Sequence, residues 1–280
     1  MVIRSIRQMQ LLSRRLAAQG KKIGFVPTMG YLHEGHLSLI RRAKKEADVV
    51  ITSIFVNPKQ FAPNEDFARY PRDERGDIAK IRKAGGSIVF VPKAREVYPD
   101  DFTTYVNVEG LTDVLEGSVR PGHFKGVTTI VAMLFNIVRP DLVVFGMKDF
   151  QQAVVLKRMT VDLGYPIKFI VAPTVRERDG LAMSSRNKYL TEQTRREALC
   201  LYFALRTAKS LVKSRVTDIR KIEKEMRAVI LATCPSAKID YIAFADIFTL
   251  EPRRKLSGDI VVSLAVRVHG VRLIDNMRLG

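Results

Sequence analysis

Residues 25–40 read FVPTMGYLHEGHLSLI. The segment leaves an apolar run (Ile23 to Val26), turns through Pro27, Thr28, Met29 and Gly30, and sets His33 and His36 three apart at the head of a helical stretch, HLSLIRRAKKEA. Only four histidines exist in the chain, so two at one junction need a reason. Outward from this segment, β-branched apolar runs recur at VVITSIFV (Val49 to Val56), SIVFV (Ser87 to Val91), DLVVFG (Asp141 to Gly146) and IKFIVA (Ile167 to Ala172). Helical stretches such as VTTIVAMLFNIV separate them. Continuous apolar strands alternating with helices specify an α/β fold whose parallel sheet is covered on both faces.

Composition changes after Pro173, which predicts one domain over residues 1–173 and a smaller α+β domain over 174–280. The second begins with a loop, TVRERDGLAMSSRNKYL, followed by a long helix from Thr191 to about Lys213 and then another helix. Two or three strands close the chain, in KIDYIAFAD and DIVVSLAVRVHGVRLID, with the basic turn EPRRKLSG between them. At 280 residues and 46% hydrophobic content the chain can bury a sizeable core. Forty-seven Lys and Arg against 29 Asp and Glu give a net charge of +18, which favours anionic partners: phosphates, carboxylates or nucleic acid. Cys200 and Cys234 stand far apart without a CxxC spacing, so the sequence suggests neither a disulfide framework nor a zinc knuckle, and two reduced thiols in a cytoplasmic protein are expected. No run approaches a membrane span, and the first twenty residues lack a secretory h-region and cleavage site. Their Arg-rich, acid-free character mimics a transit peptide, but Ile6, Met9, Leu12 and Leu16 before Gly20 have the spacing of a first surface helix.

Ligands of an open parallel sheet bind beyond the carboxyl ends of its strands. The polar residues that follow the strands are therefore the site candidates: Thr28, Met29, Gly30, His33, Gly35 and His36 after the first, Asn57 and Gln60 after the second, Lys148, Asp149 and Gln152 after DLVVFG. Neither GxGxxG nor GxxxxGK[ST] is present, so a bound nucleotide would need other groups for its phosphates. Two imidazoles at a helix start, where backbone N–H groups already favour anions, are one such cradle. HEGH lacks the HExxH spacing of a zinc-binding helix face. The stretch Arg178 to Asn187, dense in small residues, hydroxyls and guanidinium groups, is a second cradle; its plain alternative is a solvated interdomain linker.

HxGH after a first strand, paired with a Met-Ser-rich basic loop after the last, resembles the Rossmann-like nucleotidyltransferase superfamily that includes class I aminoacyl-tRNA synthetases, with AMSSRN in place of KMSKS. More closely, PTMGYLHEGHLSLI, SIFVNPKQF, RYPRD, LEGSVRPGHFKGV, FGMKDFQQ, RERDGLAMSSRNKYL and RLIDN, in this order, resemble the pantothenate synthetase (pantoate–β-alanine ligase) family. That resemblance implies an ATP- and Mg2+-dependent ligase that joins pantoate to β-alanine through a pantoyl adenylate, works as a homodimer, and needs neither nucleic acid nor membrane. It implies a catalytic set of His33, His36, Lys148, Ser184, Ser185 and Arg186, and an ATP site that adds Pro27, Thr28, Met29, Gly30, Gly146, Asp149, Val175 and Met183. Met29, Gln60 and Gln152 would hold pantoate, with Asn57 and Tyr70 as the adjoining wall. It gives no metal ligands. Met147 stands where the family usually has glutamate, Arg178 where it has a small residue and Lys59 where it has an apolar one; the roles of Arg120, His123 and Lys125 stay open. His269 falls in a strand pattern and reads as structural. Two rival readings share the HxGH signal: an RNA-binding nucleotidyltransferase, favoured by charge but lacking a recognisable RNA-binding module, and a nucleotide sensor without turnover.

Overall fold

The computed structural model describes residues 1–63 and 65–279. Two compact units form: Met1–Met147 with Gln152–Pro173, and Lys148–Gln151 with Thr174–Gly280.

The first unit is built on a parallel sheet of six strands, β1 (Val2–Ile3), β2 (Ile23–Thr28), β3 (Val49–Ile54), β4 (Ile88–Phe90), β5 (Leu142–Gly146) and β6 (Lys168–Ala172), in the order β1-β4-β3-β2-β5-β6. Chain order runs outward from β2 to β3 and β4, then restarts on the other side with β5 and β6. The topological switch therefore lies between β2 and β5, where an open α/β sheet leaves a crevice at the strands' carboxyl ends. Helices α1 (Ile6–Ala18), α2 (Glu34–Lys44), α3 (Glu74–Lys83), α4 (Ala94–Val97), α5 (Glu116–Val119), α6 (His123–Val138) and α7 (Phe150–Asp162) connect or cover the strands.

Strand periodicity explains why the apolar runs are unbroken. Phe25, Ile51, Phe90 and Val143 enter one core with Met9 and Leu12 of α1, much of α6, and Leu156 and Met159 of α7. Their neighbours Val26, Val50, Val89, Leu142 and Val144 enter a second core with Leu39, Ile40 and Ala43 of α2 and Ile81 of α3. Alternate side chains on a pleated strand face opposite ways, so a strand covered on both faces must be apolar throughout. β1 is an addition to the sequence reading: two residues pair with Val89 and Phe90 of β4, too short a run to carry a pattern.

In the second unit, α8 (Glu192–Ala198), α9 (Cys200–Lys213) and α10 (Ile219–Thr233) share a core with the antiparallel strands β7 (Lys238–Asp246), β8 (Ile260–Val268) and β9 (Val271–Arg278). The long helix expected from Thr191 to Lys213 is two helices. At Leu199 the backbone N–H reaches Arg196 O at 3.3 Å, a tightened turn that interrupts the ladder between α8 and α9. His269 lies in the two-residue β8–β9 turn, outside the strands where the sequence pattern put it. Among the described residues no helix is long and apolar enough to cross a membrane.

Candidate active site

In the first unit the segment after β2 is shaped by a buried carboxylate that the sequence reading did not single out. Asp77 in α3 accepts from Tyr31 N at 2.6 Å and Leu32 N at 2.7 Å, with Lys80 Nζ 3.9 Å away. Burial pushes its pKa up, against the pull of those two N–H donors and of Lys80. Asp77 shares a helix face with Ile81 four residues on; a carboxylate at a core position is the signal that betrays it. The loop it holds is tight. Gly30 has φ +87°, and a Cβ there would stand 3.0 Å from Ile54 Cγ2 and 3.1 Å from Asp77 Oδ2, so geometry and space both require glycine. Thr28 Oγ1 donates to Ser53 O at 2.7 Å and accepts from Gly30 N at 3.2 Å, fixing the end of β2 against β3.

His33 is the N-cap of α2 and His36 its third residue. Their ring centroids are 4.1 Å apart, so the two imidazoles do share a face. His33 N donates to His36 Nδ1 at 3.4 Å, which places the proton of a neutral His36 ring on Nε2. Pro27 and Met29 are half-buried beside them, and Gly146 ends β5 across the switch point.

A chain of amides follows β3, in and around a 3-10 turn at Pro58–Gln60. Asn57 is buried and fully engaged. Its Oδ1 accepts from Tyr98 OH at 2.8 Å and Lys59 N at 3.3 Å, while its Nδ2 donates to Gly126 O at 3.0 Å and Gln60 Oε1 at 3.1 Å. With its oxygen so held, Gln60 turns its Nε2 toward Met29 Sδ, 3.2 Å away. Met29, Asn57 and Gln60 are thus brought together. Tyr98, unmarked in the sequence, completes the line; burial pushes its phenol well above the ordinary tyrosine range, so it remains a donor. Tyr70 is buried with its ring edge-on to Phe61, 5.9 Å between centroids. Gln152 is half-buried in the first turn of α7.

The open question of Arg120 and His123 is answered one layer out. His123 Nδ1 donates to the Gln60 carbonyl at 2.8 Å, and its Nε2 lies 3.1 Å from Arg120 Nη1. An arginine only donates, so this ring is neutral with its proton on Nδ1. Burial, with the nearby Arg120 charge, pushes its pKa down to about 4. Arg120 grips Glu65 through Nε and Nη2, both at 2.6 Å. Burial raises the Glu65 carboxyl, but this bidentate pairing outweighs it and holds the group below its usual range. Lys125 stands apart, its Nζ 4.6 Å from the Tyr105 ring centroid. Both Arg120 and His123 therefore brace the backbone that carries Gln60.

In the second unit Lys148 and Asp149 occupy a 3-10 turn, Met147–Asp149, with Nζ 3.4 Å from Asp149 Oδ1. Asn276 of β9 donates from Nδ2 to the Lys148 carbonyl at 2.9 Å, a support that no spacing along the chain pairs with it. The Arg178-to-Asn187 stretch is well ordered by hydrogen bonds: Arg176 bridges to Ala182, Met183 N donates to Val175 O at 3.1 Å, and Ser184 caps the turn Ser185–Tyr189 by accepting from Arg186 N at 3.3 Å. Arg176 anchors its base through a bidentate pair with Asp275, at 2.6 and 2.9 Å. Arg178 is exposed. These bonds give the segment a defined backbone path.

The amides and imidazoles of the first unit suit an anionic substrate with hydroxyls, and offer alignment in place of a general base. Known proteins resemble the whole chain. The family model described as pantoate-beta-alanine ligase matches residues 1–278. A pantothenate synthetase of Moorella thermoacetica is 56% identical over 261 residues, covering 93% of this chain and 92% of the relative. That of Heliobacterium modesticaldum is 51% identical over 276 residues, covering 99% and 98%. Among solved structures, pantothenate synthetase of Thermus thermophilus superposes with a TM-score of 0.94 at 42% identity, covering 99% of both chains. Pantoate-beta-alanine ligase of Francisella tularensis, complexed with beta-gamma ATP and beta-alanine, gives 0.82 at 36% identity, covering 99% of this chain and 97% of its own. This chain belongs to the pantoate–β-alanine ligase family.

Proposed function

We propose that this ligase works in two steps: the pantoate carboxylate attacks the α-phosphorus of ATP, the α–β phosphoanhydride bond breaks and pyrophosphate leaves; the neutral amine of β-alanine then attacks the acyl carbon, AMP leaves, and the nitrogen loses a proton. The observation that carries this reading is the amide chain from Asn57 through Gln60 to Met29 at the carboxyl edge of the sheet. Pantoate is ionised at neutral pH and needs no base for the first step. It needs its carboxylate aimed. Gln60, preset by Asn57, and Gln152 hold its hydroxyls and carboxylate, while Tyr70 and Asn57 close the wall. A substrate lacking those hydroxyls would leave a buried amide unsatisfied, which is a strong basis for selection.

His33 and His36, with the N–H groups opening α2, hold the nucleotide phosphates; Pro27, Thr28, Met29 and Gly30 line its approach, together with Gly146 and Val175. Lys148 neutralises charge on the departing pyrophosphate, Asp149 contacts the ribose, and Met183, Ser184, Ser185 and Arg186 complete the triphosphate cradle. Mg2+ supplies charge neutralisation on the phosphates when bound. Such an ion keeps several waters and takes few protein ligands. That habit fits the groups proposed here, among which Asp149, 3.4 Å from Lys148 Nζ, is the one carboxylate. The test is isotope exchange. Labelled pyrophosphate should enter ATP when pantoate and Mg2+ are present and β-alanine is absent. Exchange that requires an amino acid or tRNA would return the RNA-linked reading, and nucleotide binding without exchange would leave a sensor.

A further inference from the structure

Glu197, Cys234 and His269 come from three separate elements of the second unit. Glu197 is near the end of α8, Cys234 directly follows α10, and His269 is the first residue of the β8–β9 turn. Their ligand atoms all lie within 4.8 Å of one another. His269 Nε2 is 2.7 Å from Glu197 Oε2, and the Ser236 hydroxyl lies 3.6 Å from Cys234 Sγ and 3.5 Å from His269 Nε2. The thiol is buried, the carboxylate side chain 20% exposed and the imidazole 41% exposed, so the cluster opens to solvent on one side.

The turn that carries His269 is tight. Val268 and Val271 pair across a two-residue turn in which His269 has φ +48° and Gly270 φ +83°. Such primed turns favour Asn or Asp before Gly, because a larger L-residue is strained at positive φ. Histidine is one of the residues that adopts this conformation more readily than most, so His269 fits the turn. None of the proposed catalytic groups is among these residues.

We infer that Glu197, Cys234 and His269 form a binding site for a borderline-soft divalent cation of the Zn2+ type, tying α8, α10 and the β8–β9 turn together, with Ser236 or a water in the fourth position. Thiolate, imidazole and carboxylate are the donor set that Zn2+ takes in three-ligand open sites. Tetrahedral bonds of roughly 2.0 to 2.3 Å put ligand atoms about 3.3 to 3.6 Å apart, so His269 Nε2 and Glu197 Oε2, now 2.7 Å apart, must open slightly. The flexible Glu197 carboxylate and the solvent-facing imidazole permit that. Proton balance is simple: the Cys234 thiol releases its proton, Glu197 binds as carboxylate, and a neutral imidazole frees Nε2 by carrying its proton on Nδ1, so one proton leaves per ion, plus one from any imidazolium.

The test uses the full chain after chelator treatment. Co2+ titration should produce a thiolate charge-transfer band that saturates at one ion per chain, bleaches on adding Zn2+, and accompanies proton release in weak buffer. Zn2+ at about a hundred times its dissociation constant should multiply the folded-to-unfolded ratio about a hundredfold and raise the melting temperature. Cys234→Ser should abolish the band. His269→Asn, which suits the left-handed turn and so keeps the fold, should abolish saturable binding and the melting shift. Cys200→Ser should change neither. The inference is overturned by Co2+ binding without a thiolate band, by an undiminished band and shift in His269→Asn, or by loss of the band in Cys200→Ser with retention in Cys234→Ser. No arm reads ligase activity, so the outcome stands apart from the proposed catalytic mechanism.

Discussion

Gly126 is where α6 meets the turn that carries Gln60. A methyl group on its Cα would lie 2.5 Å from the Lys59 carbonyl carbon and 2.7 Å from Gln60 N, and closer still to the Lys59 oxygen. Carbon atoms pack at about 3.5 to 4.0 Å, so Gly126→Ala must push the helix and the turn apart by roughly 1 Å. Both partners are backbone, and no side chain can rotate aside. The same displacement stretches the bond from Asn57 Nδ2 to Gly126 O, now 3.0 Å, and with it the hold on Gln60. Overpacking of this kind costs about 1–3 kcal/mol, or roughly 2–10 °C of melting temperature in a domain of this size. Activity should suffer more than stability. An error of about 1 Å in a positioning group lowers rate on the order of 10²-fold. Steady-state kinetics with pantoate varied should show kcat/KM falling by about that factor while the protein stays folded at assay temperature. A variant with wild-type kinetics and an unchanged melt would refute the close approach; one that melts early yet keeps its kcat/KM for pantoate would refute the role given to Gln60.

Other perturbations test separate parts. His123 is neutral in the native state with its pKa pushed down to about 4, whereas an unfolded histidine titrates near 6.5, so its contribution is full above about 6.5 and is lost as pH falls toward 4. That gap is worth roughly 3 kcal/mol; denaturant midpoints measured from pH 7 to 4 should fall more steeply in the wild type than in His123→Asn, and parallel curves would contradict the assignment. Lys148→Ala should slow adenylation by about 10²–10³ and leave consumption of supplied pantoyl adenylate by β-alanine much less affected; single-turnover assays that find equal losses in both steps would reduce Lys148 to a brace of its turn.

The sheet was legible because burial on both faces keeps most strand residues apolar, and Phe25 beside Val26 shows the rule at work in two cores. His33 and His36 were legible because a helix start fixes three-apart residues on one side. Asn57 and Gln60 stood out by following a strand, but their coupling did not, since it depends on Gly126 O, 69 residues away, and on Tyr98 OH, 41 away. Asp77 was hidden for a related reason: a carboxylate beside Glu74 in the polar helix ERGDIAKIRK looks solvated until Tyr31 and Leu32 are seen to need acceptors. The interruption at Leu199 leaves no mark, because neither Gly nor Pro stands at the junction of α8 and α9. Residues joined by backbone geometry can be read from spacing, and residues joined by a shared partner cannot.

Part of the charge of +18 gathers on α9 in the second unit. Arg206, Lys209 and Lys213, at helical spacings of three and four, share an exposed face of α9 and line a cleft of about 490 Å3 with Arg176, Tyr202, Ser210 and Met277. Arg176 is already neutralised by Asp275, and Arg206 Nη1 donates to Tyr202 OH at 3.2 Å. The three cations on α9 form a stripe rather than a shaped pocket. Such a stripe attracts polyanions without reading them. With about three phosphate contacts, the logarithm of the affinity for single-stranded RNA should fall against that of salt with a slope of about −2, so binding should be weak at physiological ionic strength. Gel-shift titrations of a tRNA mixture across salt concentrations measure the slope. Lys209→Glu with Lys213→Glu should remove most of the binding and leave ligase turnover intact, since neither residue is assigned to the reaction. Tight, salt-resistant and sequence-selective binding that survives the double substitution would sink the argument and make RNA a specific partner.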